Sequence, residues 1–312
     1  MQIIHLRTGE VYDGFSACGL VLGNFDGVHR GHQALIAELK RLNAKRSPRL
    51  PLAAFCFTKH PSAVLGSPVP QLIDNQKKMK LLREQGLQFI VLCDFAELRD
   101  LSPEDFVKDV LIGKLHCKIA VCGFNYTFGK GGAGRAEDLR AWLGTQPQCE
   151  VAVVPPVTDG QITVSSSAIR CMLERGHPED ATRLLGRPYT LCAVVKSGKQ
   201  VGREMETPTA NLFFPEGSVI PAHGVYAVMA RVGRRTYKGI CNVGTRPTFD
   251  DGEDVTCESF LFDFNGDLYK KELEISFLRF LRAERAFADR AALQAQIEKD
   301  VQRAKDYFKN EL

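Results

Sequence analysis

From Leu20 to about Arg170, short apolar runs alternate with stretches whose apolar positions recur every three or four residues. The runs Leu20–Leu22, Leu52–Phe57, Phe89–Leu92, Ile119–Cys122 and Val151–Val154 predict buried strands. Gln33–Arg46, Gln76–Gln85, Pro103–Ile112 and Ala136–Leu143 predict helices; in the first, Leu35, Ile36, Leu39 and Leu42 share one face. Strand and helix in alternation imply an α/β fold, a Rossmann-like parallel sheet with helices on both faces. Ligands of such sheets sit beyond the carboxyl ends of the strands. After Leu184-Leu185-Gly186-Arg187-Pro188 the pattern changes. Leu191–Val195, Gly224–Val232, Lys238–Val243 and Glu258–Phe264 predict strands joined by glycine-rich or polar turns, and Leu273–Leu281 holds at least one more. Strands at such short intervals predict an antiparallel β-barrel, closed by a helix from Ala291 to about Lys309. The change of pattern sets a boundary near Gly186 and two domains, 1–186 and 187–312, as the length leads one to expect.

Composition narrows the class. A net charge of +4 without a long basic run fits small phosphorylated partners and gives no ground for nucleic acid. The first residues, MQIIHLRTGEVYDG, lack an export pattern, and no apolar run reaches membrane-spanning length. Ten cysteines without CxxC pairing then read as reduced, mostly buried thiols of a cytoplasmic protein. The oligomeric state expected is a monomer or a weak homo-oligomer.

Candidate chemistry concentrates where the first strand meets the first helix. Gly23 and Gly27 follow the strand, and His29 and His32 open the helix one turn apart. A helix N-terminus offers unpaired N–H groups and the positive dipole end, both suited to phosphate. Residues three apart share a face, so both imidazoles can meet one anion, while glycine lets backbone come close to it. Farther on, Asn125 stands in Gly123-Phe124-Asn125-Tyr126-Thr127-Phe128-Gly129-Lys130, after a strand and before a glycine-rich turn. Ser165, Ser166 and Ser167 precede a helix and can cap it, with Arg170 adding a charged fork for phosphate oxygens.

The string Gly23-Asn24-Phe25-Asp26-Gly27-Val28-His29-Arg30-Gly31-His32 resembles the signature of the nucleotidyltransferases related to class I aminoacyl-tRNA synthetases. In its FDGxHxGH spelling it resembles the prokaryotic bifunctional riboflavin kinase/FAD synthetases. The Asn125 segment resembles that family's G-x-[DN]-[FY]-x-F-G-K, and Val164–Arg170 its I-S-S-T-x-I-R, with Ser167 in place of Thr. The resemblance implies FMN adenylylation by ATP in the first half. Gly23, Phe25, Asp26 and Gly27 would bind ATP, Asn125 would touch ATP or flavin, and His29 and His32 would neutralise charge at the α-phosphate. Ser165, Ser166 and Arg170 would hold the departing pyrophosphate, and Phe128 would line the flavin pocket. Phe57-Thr58-Lys59-His60-Pro61 matches a further segment only at His60 and Pro61, and a structural role is expected for His60.

In the second half, Pro208-Thr209-Ala210-Asn211 resembles the PTAN motif of riboflavin kinases. In the family's order there follow Gly224-Val225-Tyr226, Asn242–Phe249, Glu258, Arg279-Phe280-Leu281-Arg282 and Phe287. Hydroxyl and amide oxygens suit Mg²⁺. The resemblance implies that Thr209 and Asn211 bind Mg²⁺ with ATP, Gly198 and Gly202 approach the phosphates, Arg279 and Arg282 meet the flavin, and Glu258 is the base for riboflavin's 5′-hydroxyl. Glu206-Thr207 stands where the family has Gly-Phe, Phe260 where it often has His, and Lys270 where Gly is common. A second reading follows from Glu206-Thr207: an FAD synthetase whose kinase half is weakened or disabled.

Overall fold

The structure, a computed structural model, describes residues 1–7, 9, 14–196, 209–247 and 253–311. Contacts within the chain divide it into two compact units, Met1–Ser166 and Ser167–Leu312.

The first unit is built on six parallel strands: β1 (Gln2–Leu6), β2 (Cys18–Leu22), β3 (Leu52–Phe57), β4 (Phe89–Cys93), β5 (Cys117–Gly123) and β6 (Glu150–Val154). Their order across the sheet is β1-β4-β3-β2-β5-β6. The chain moves from β2 to β3 on one side and later returns to β5 on the other. The carboxyl end of β2 is therefore the switch point where such sheets form a crevice. Every residue of β2 is buried because both faces are covered. Val21 faces helix α1 (Arg30–Asn43) through Ile36 and Leu39, while Leu20 and Leu22 face Phe106 and Leu111 on the opposite side. Sequence periodicity predicts all of these strands except β1, whose exposed Ile3 and His5 alternate with buried Ile4 and Leu6 as an edge strand allows. The predicted helix at Pro103–Ile112 exists, but it widens into a π-type helix at Phe106–Lys114.

The second unit is an antiparallel sheet of six strands: β7 (Tyr189–Val194), β8 (Thr209–Phe213), β9 (Gly224–Val232), β10 (Arg235–Pro247), β11 (Glu253–Leu261) and β12 (Glu272–Ala283), in the order β7-β12-β9-β10-β11-β8. The edge strands meet through a bridge between Lys196 and Asn211, which nearly closes the barrel. Inside lie Tyr226, Val228, Cys241, Cys257 and Phe277, all buried. Outside, Val225, Ala227 and Ile240 pack with Ala304 and Phe308 of the last helix, Arg290–Asn310. Phe260 joins that outer cluster, which accounts for an aromatic ring at this position. β11 stops at Leu261, short of the predicted Phe264, because Asp263 takes a left-handed conformation with φ 56°. Lys270, where glycine is common in the resembling family, has φ 59°; the backbone there is left-handed, which explains the preference for glycine.

Candidate active sites

The turn after β2 is wound tightly: Phe25, Gly27 and Val28 all have positive φ. It delivers His29 to the N-cap of α1, where Nδ1 accepts from the backbone N–H of His32 at 3.3 Å. That acceptor role places the proton of the neutral ring on Nε2. The two imidazoles stack with centroids 3.6 Å apart and 15° between planes, and Phe25 backs His32 at 5.0 Å. Burial first, then the neighbouring His29 and the cationic Lys78, hold the His32 pKa well below its ordinary value of 6.5. His32 Nδ1 is enclosed and has no hydrogen-bond partner among the described residues. Lys78, on helix Asn75–Glu84 and nearly buried, is a cation beside the pair that local sequence gives no reason to single out.

The sign of the pH dependence follows. The unfolded chain binds a proton at His32 near pH 6.5 and the folded chain resists it, so the unfolded state holds more protons below that pH. Stability of the first unit is expected to fall as pH drops below about 6.5, and His32→Gln to flatten that limb in thermal melts between about pH 7.5 and 5.

Asp26, expected at the ATP, has its carboxylate on protein backbone instead: Oδ1 accepts from the N–H groups of Leu72 at 2.9 Å and Ile73 at 3.4 Å. It is buried, and its role here is to fasten the 72–73 segment to the turn. Its carbonyl accepts from the Ser166 hydroxyl at 2.9 Å, so the serine segment and the histidine turn meet. Arg30 pairs with Asp159 at 3.0 Å, fixing the same end of α1 to a neighbouring hairpin, Thr158–Asp159 with Ile162–Thr163. Ser166 and Arg170, four residues apart on helix Ser166–Glu174, lie on one helical face. His60 caps a short helix at Pro61–Val64, and its Nε2 lies 3.5 Å from Asn24 Nδ2, a structural use as expected.

The Asn125 segment divides. Asn125 is exposed at the end of β5, beside the switch-point strand. Phe128, expected to line a flavin pocket, is only 6% exposed and belongs to the core, packed against Tyr126 and Phe106. The aromatic that reaches the surface is Phe124, 50% exposed. Gly129 has φ 70°, and a Cβ there would collide with the Pro103 backbone, so only glycine fits.

In the barrel, strand pairing assembles the second site. Asn211 on β8 is in register with Glu258 on β11, and Glu258 with Asn242 on β10. Directly paired residues point to one face, so the three form a polar row on the outer face. Asn211 is 5% exposed, and its Oδ1 has no partner among the described residues. A buried amide oxygen without a donor is where a hard cation fits. The Thr209 backbone pairs with Phe260, while Gly198, Gly202 and Glu206-Thr207 lie outside the described residues. Arg279 is paired with Glu179 at 3.0 Å. Arg282 places Nε and Nη2 on Asp300, 1% exposed, and Nη1 on the Ala283 carbonyl. Gln296 donates to the same carboxylate at 2.7 Å and accepts from Arg285. Both arginines expected to meet flavin are thus held by carboxylates, and Arg282 anchors the last helix to β12.

Each unit carries its own polar cluster, His29 with His32 in the first and Asn211, Glu258 and Asn242 in the second, the arrangement of a two-site enzyme. Comparison with known proteins is more specific. Residues 14–168 match the FAD synthetase family and residues 185–308 the riboflavin kinase family. A Bacillus subtilis bifunctional riboflavin kinase/FMN adenylyltransferase is 37% identical over 297 residues, which cover 93% of this chain and 92% of the relative. Its Escherichia coli K12 counterpart is 32% identical, covering 93% of both. A crystal structure described as a macrolide-efflux protein from Streptococcus pneumoniae superposes with a TM-score of 0.87 at 30% identity, covering 98% of this chain and 99% of that one. Among the described residues no helix is long and apolar enough to cross a membrane. The chain belongs to the bifunctional riboflavin kinase/FMN adenylyltransferase family.

Proposed function

We propose that the chain makes FAD in two ATP-dependent steps: riboflavin + ATP → FMN + ADP in the barrel, then FMN + ATP → FAD + pyrophosphate at the parallel sheet. The observation that carries this reading is the match of each half to one of the two enzyme families, with a separate polar site in each. We assign the second step to residues 1–186 and the first to 187–312.

In the adenylylation step, an oxygen of the FMN phosphate attacks the ATP α-phosphorus as the bond to the β-phosphate oxygen breaks. The nucleophile is already anionic and needs no base. What the chain supplies is alignment and charge neutralisation. His29 donates from Nε2, a role its capping bond leaves open. His32, held uncharged, keeps its partner's ring in place by stacking. Gly23 and Gly27 allow close approach, while Asn125, Ser165, Ser166 and Arg170 hold the nucleotide and departing pyrophosphate.

In the kinase step, Glu258 accepts the 5′-hydroxyl proton as that oxygen attacks the γ-phosphorus. Asn211, with Thr209, holds Mg²⁺, which when bound screens the phosphate charge. Ten free cysteines, mostly buried, suit a reducing cytoplasm.

The test is a chromatographic time course of the full-length protein with riboflavin, ATP and Mg²⁺. FMN is expected first and FAD later. FAD from supplied FMN, with none from riboflavin, would instead assign the disabled kinase to Glu206-Thr207.

A further inference from the structure

The kinase half carries a second carboxylate next to its polar row. Glu284 follows β12, and its Oε1 accepts from Asn242 Nδ2 at 3.3 Å, while Oε2 lies 4.0 Å from His223 Nδ1. Two strand positions from Asn242 stands Gly244, whose backbone is not left-handed, so conformational freedom does not explain the glycine. Space does: a Cβ at Gly244 would overlap the Glu284 carboxylate. The sheet therefore has a notch that seats the carboxylate against Asn242.

A carboxylate only accepts, so the amide must turn its NH₂ toward Glu284 and its Oδ1 the other way. Asn242 is half-buried and in register with Glu258, so this oxygen stands as an acceptor beside the base. Neighbouring strands are about 4.8 Å apart, so Asn211, Glu258 and Asn242 span roughly 10 Å in that order. With ATP phosphates at Asn211 and the reacting hydroxyl at Glu258, the Asn242 end meets the part of riboflavin that continues from its 5′-carbon, the hydroxyl-bearing ribityl chain. A carboxylate at that end also suits a neutral polyol better than a phosphate.

We propose that Glu284 is a positioning residue of the kinase site: it fixes the Asn242 amide so that Oδ1 accepts a ribityl hydroxyl and sets the 5′-oxygen against Glu258. This rests on the assignment of FMN formation to the barrel.

The experiment compares full-length wild type, Glu284→Ala, Glu284→Gln and Gly244→Ala, measuring KM for riboflavin and for ATP in FMN formation, with FAD formation from supplied FMN as a control. Glu284→Ala and Gly244→Ala are each expected to raise riboflavin KM about tenfold, equivalent to ~1.4 kcal/mol. ATP KM and FAD formation from FMN stay unchanged. Glu284→Gln, whose carbonyl can still accept from Asn242, recovers most of the loss. An unchanged riboflavin KM in Glu284→Ala, or equal rises in both KM values, overturns the proposal. If Glu284→Ala loses both activities through unfolding, Gly244→Ala decides, because the atoms nearest its Cβ belong to a flexible side-chain tip. A wild type that makes FAD from FMN but no FMN from riboflavin overturns the kinase assignment itself and the proposal with it.

Discussion

Replacing His29 and His32 together with alanine is expected to lower FAD formation from FMN by about 10³-fold or more, while FMN formation from riboflavin continues. Removing one preorganised donor at a developing charge costs about 10²–10³ in rate. Residues acting as a unit do not contribute additively, so the double variant sets the floor. The ring of His29 has two functions in the structure, and they can be separated. Its Nδ1 caps α1, and loss of a cap costs about 1 kcal/mol of stability. Asparagine also caps helices but brings no donor to the place of Nε2. His29→Asn should therefore melt close to wild type yet lose FAD formation. A variant that keeps the wild-type rate would leave His29 as a helix cap only. Because the kinase site is in the other unit, retained FMN formation by the same preparation checks that the loss is local.

Glu258→Gln is expected to lower FMN formation by about 10²–10⁴-fold, the usual contribution of a positioned general base. Glutamine keeps the size and the hydrogen-bonding reach of the side chain, so the row Asn211, Glu258, Asn242 keeps its packing. What is lost is the capacity to take the 5′-hydroxyl proton. FAD formation from supplied FMN should be unaltered. An unchanged rate of FMN formation would remove Glu258 from the chemistry and leave it a polar residue of an outward-facing strand position. The paired measurement, riboflavin as substrate in one assay and FMN in the other, separates this outcome from general damage to the protein.

Much of the architecture is legible along the chain because its causes are local. The all-apolar β2 states that both its faces are covered, and the spacing of Leu35, Ile36, Leu39 and Leu42 states which side of α1 is inward. In the barrel, Cys257-Glu258-Ser259 and Cys241-Asn242-Val243 alternate, and the structure buries the flanking residues and leaves Glu258 and Asn242 on the other face. The histidine turn is equally local: strand end, glycines and helix start lie within a dozen residues.

What the sequence could not decide are meetings between distant segments. The Asp26 carboxylate is committed to Leu72 and Ile73, 46 and 47 residues away. Arg282 is held by Asp300, and Phe128 is drawn into the core by Phe106. Periodicity assigns a residue to a face but not to a neighbour, since strand register depends on turns and on what packs over the sheet. The sequence by itself determined the element types of the two halves, a parallel α/β pattern first and an antiparallel β pattern after it. Only the tertiary structure decided that Asn211, Glu258 and Asn242 stand side by side, and that Gly244 is small because a carboxylate from β12's end occupies its place. Both depend on chain segments brought together by the closing of a barrel, and no local pattern encodes that closure.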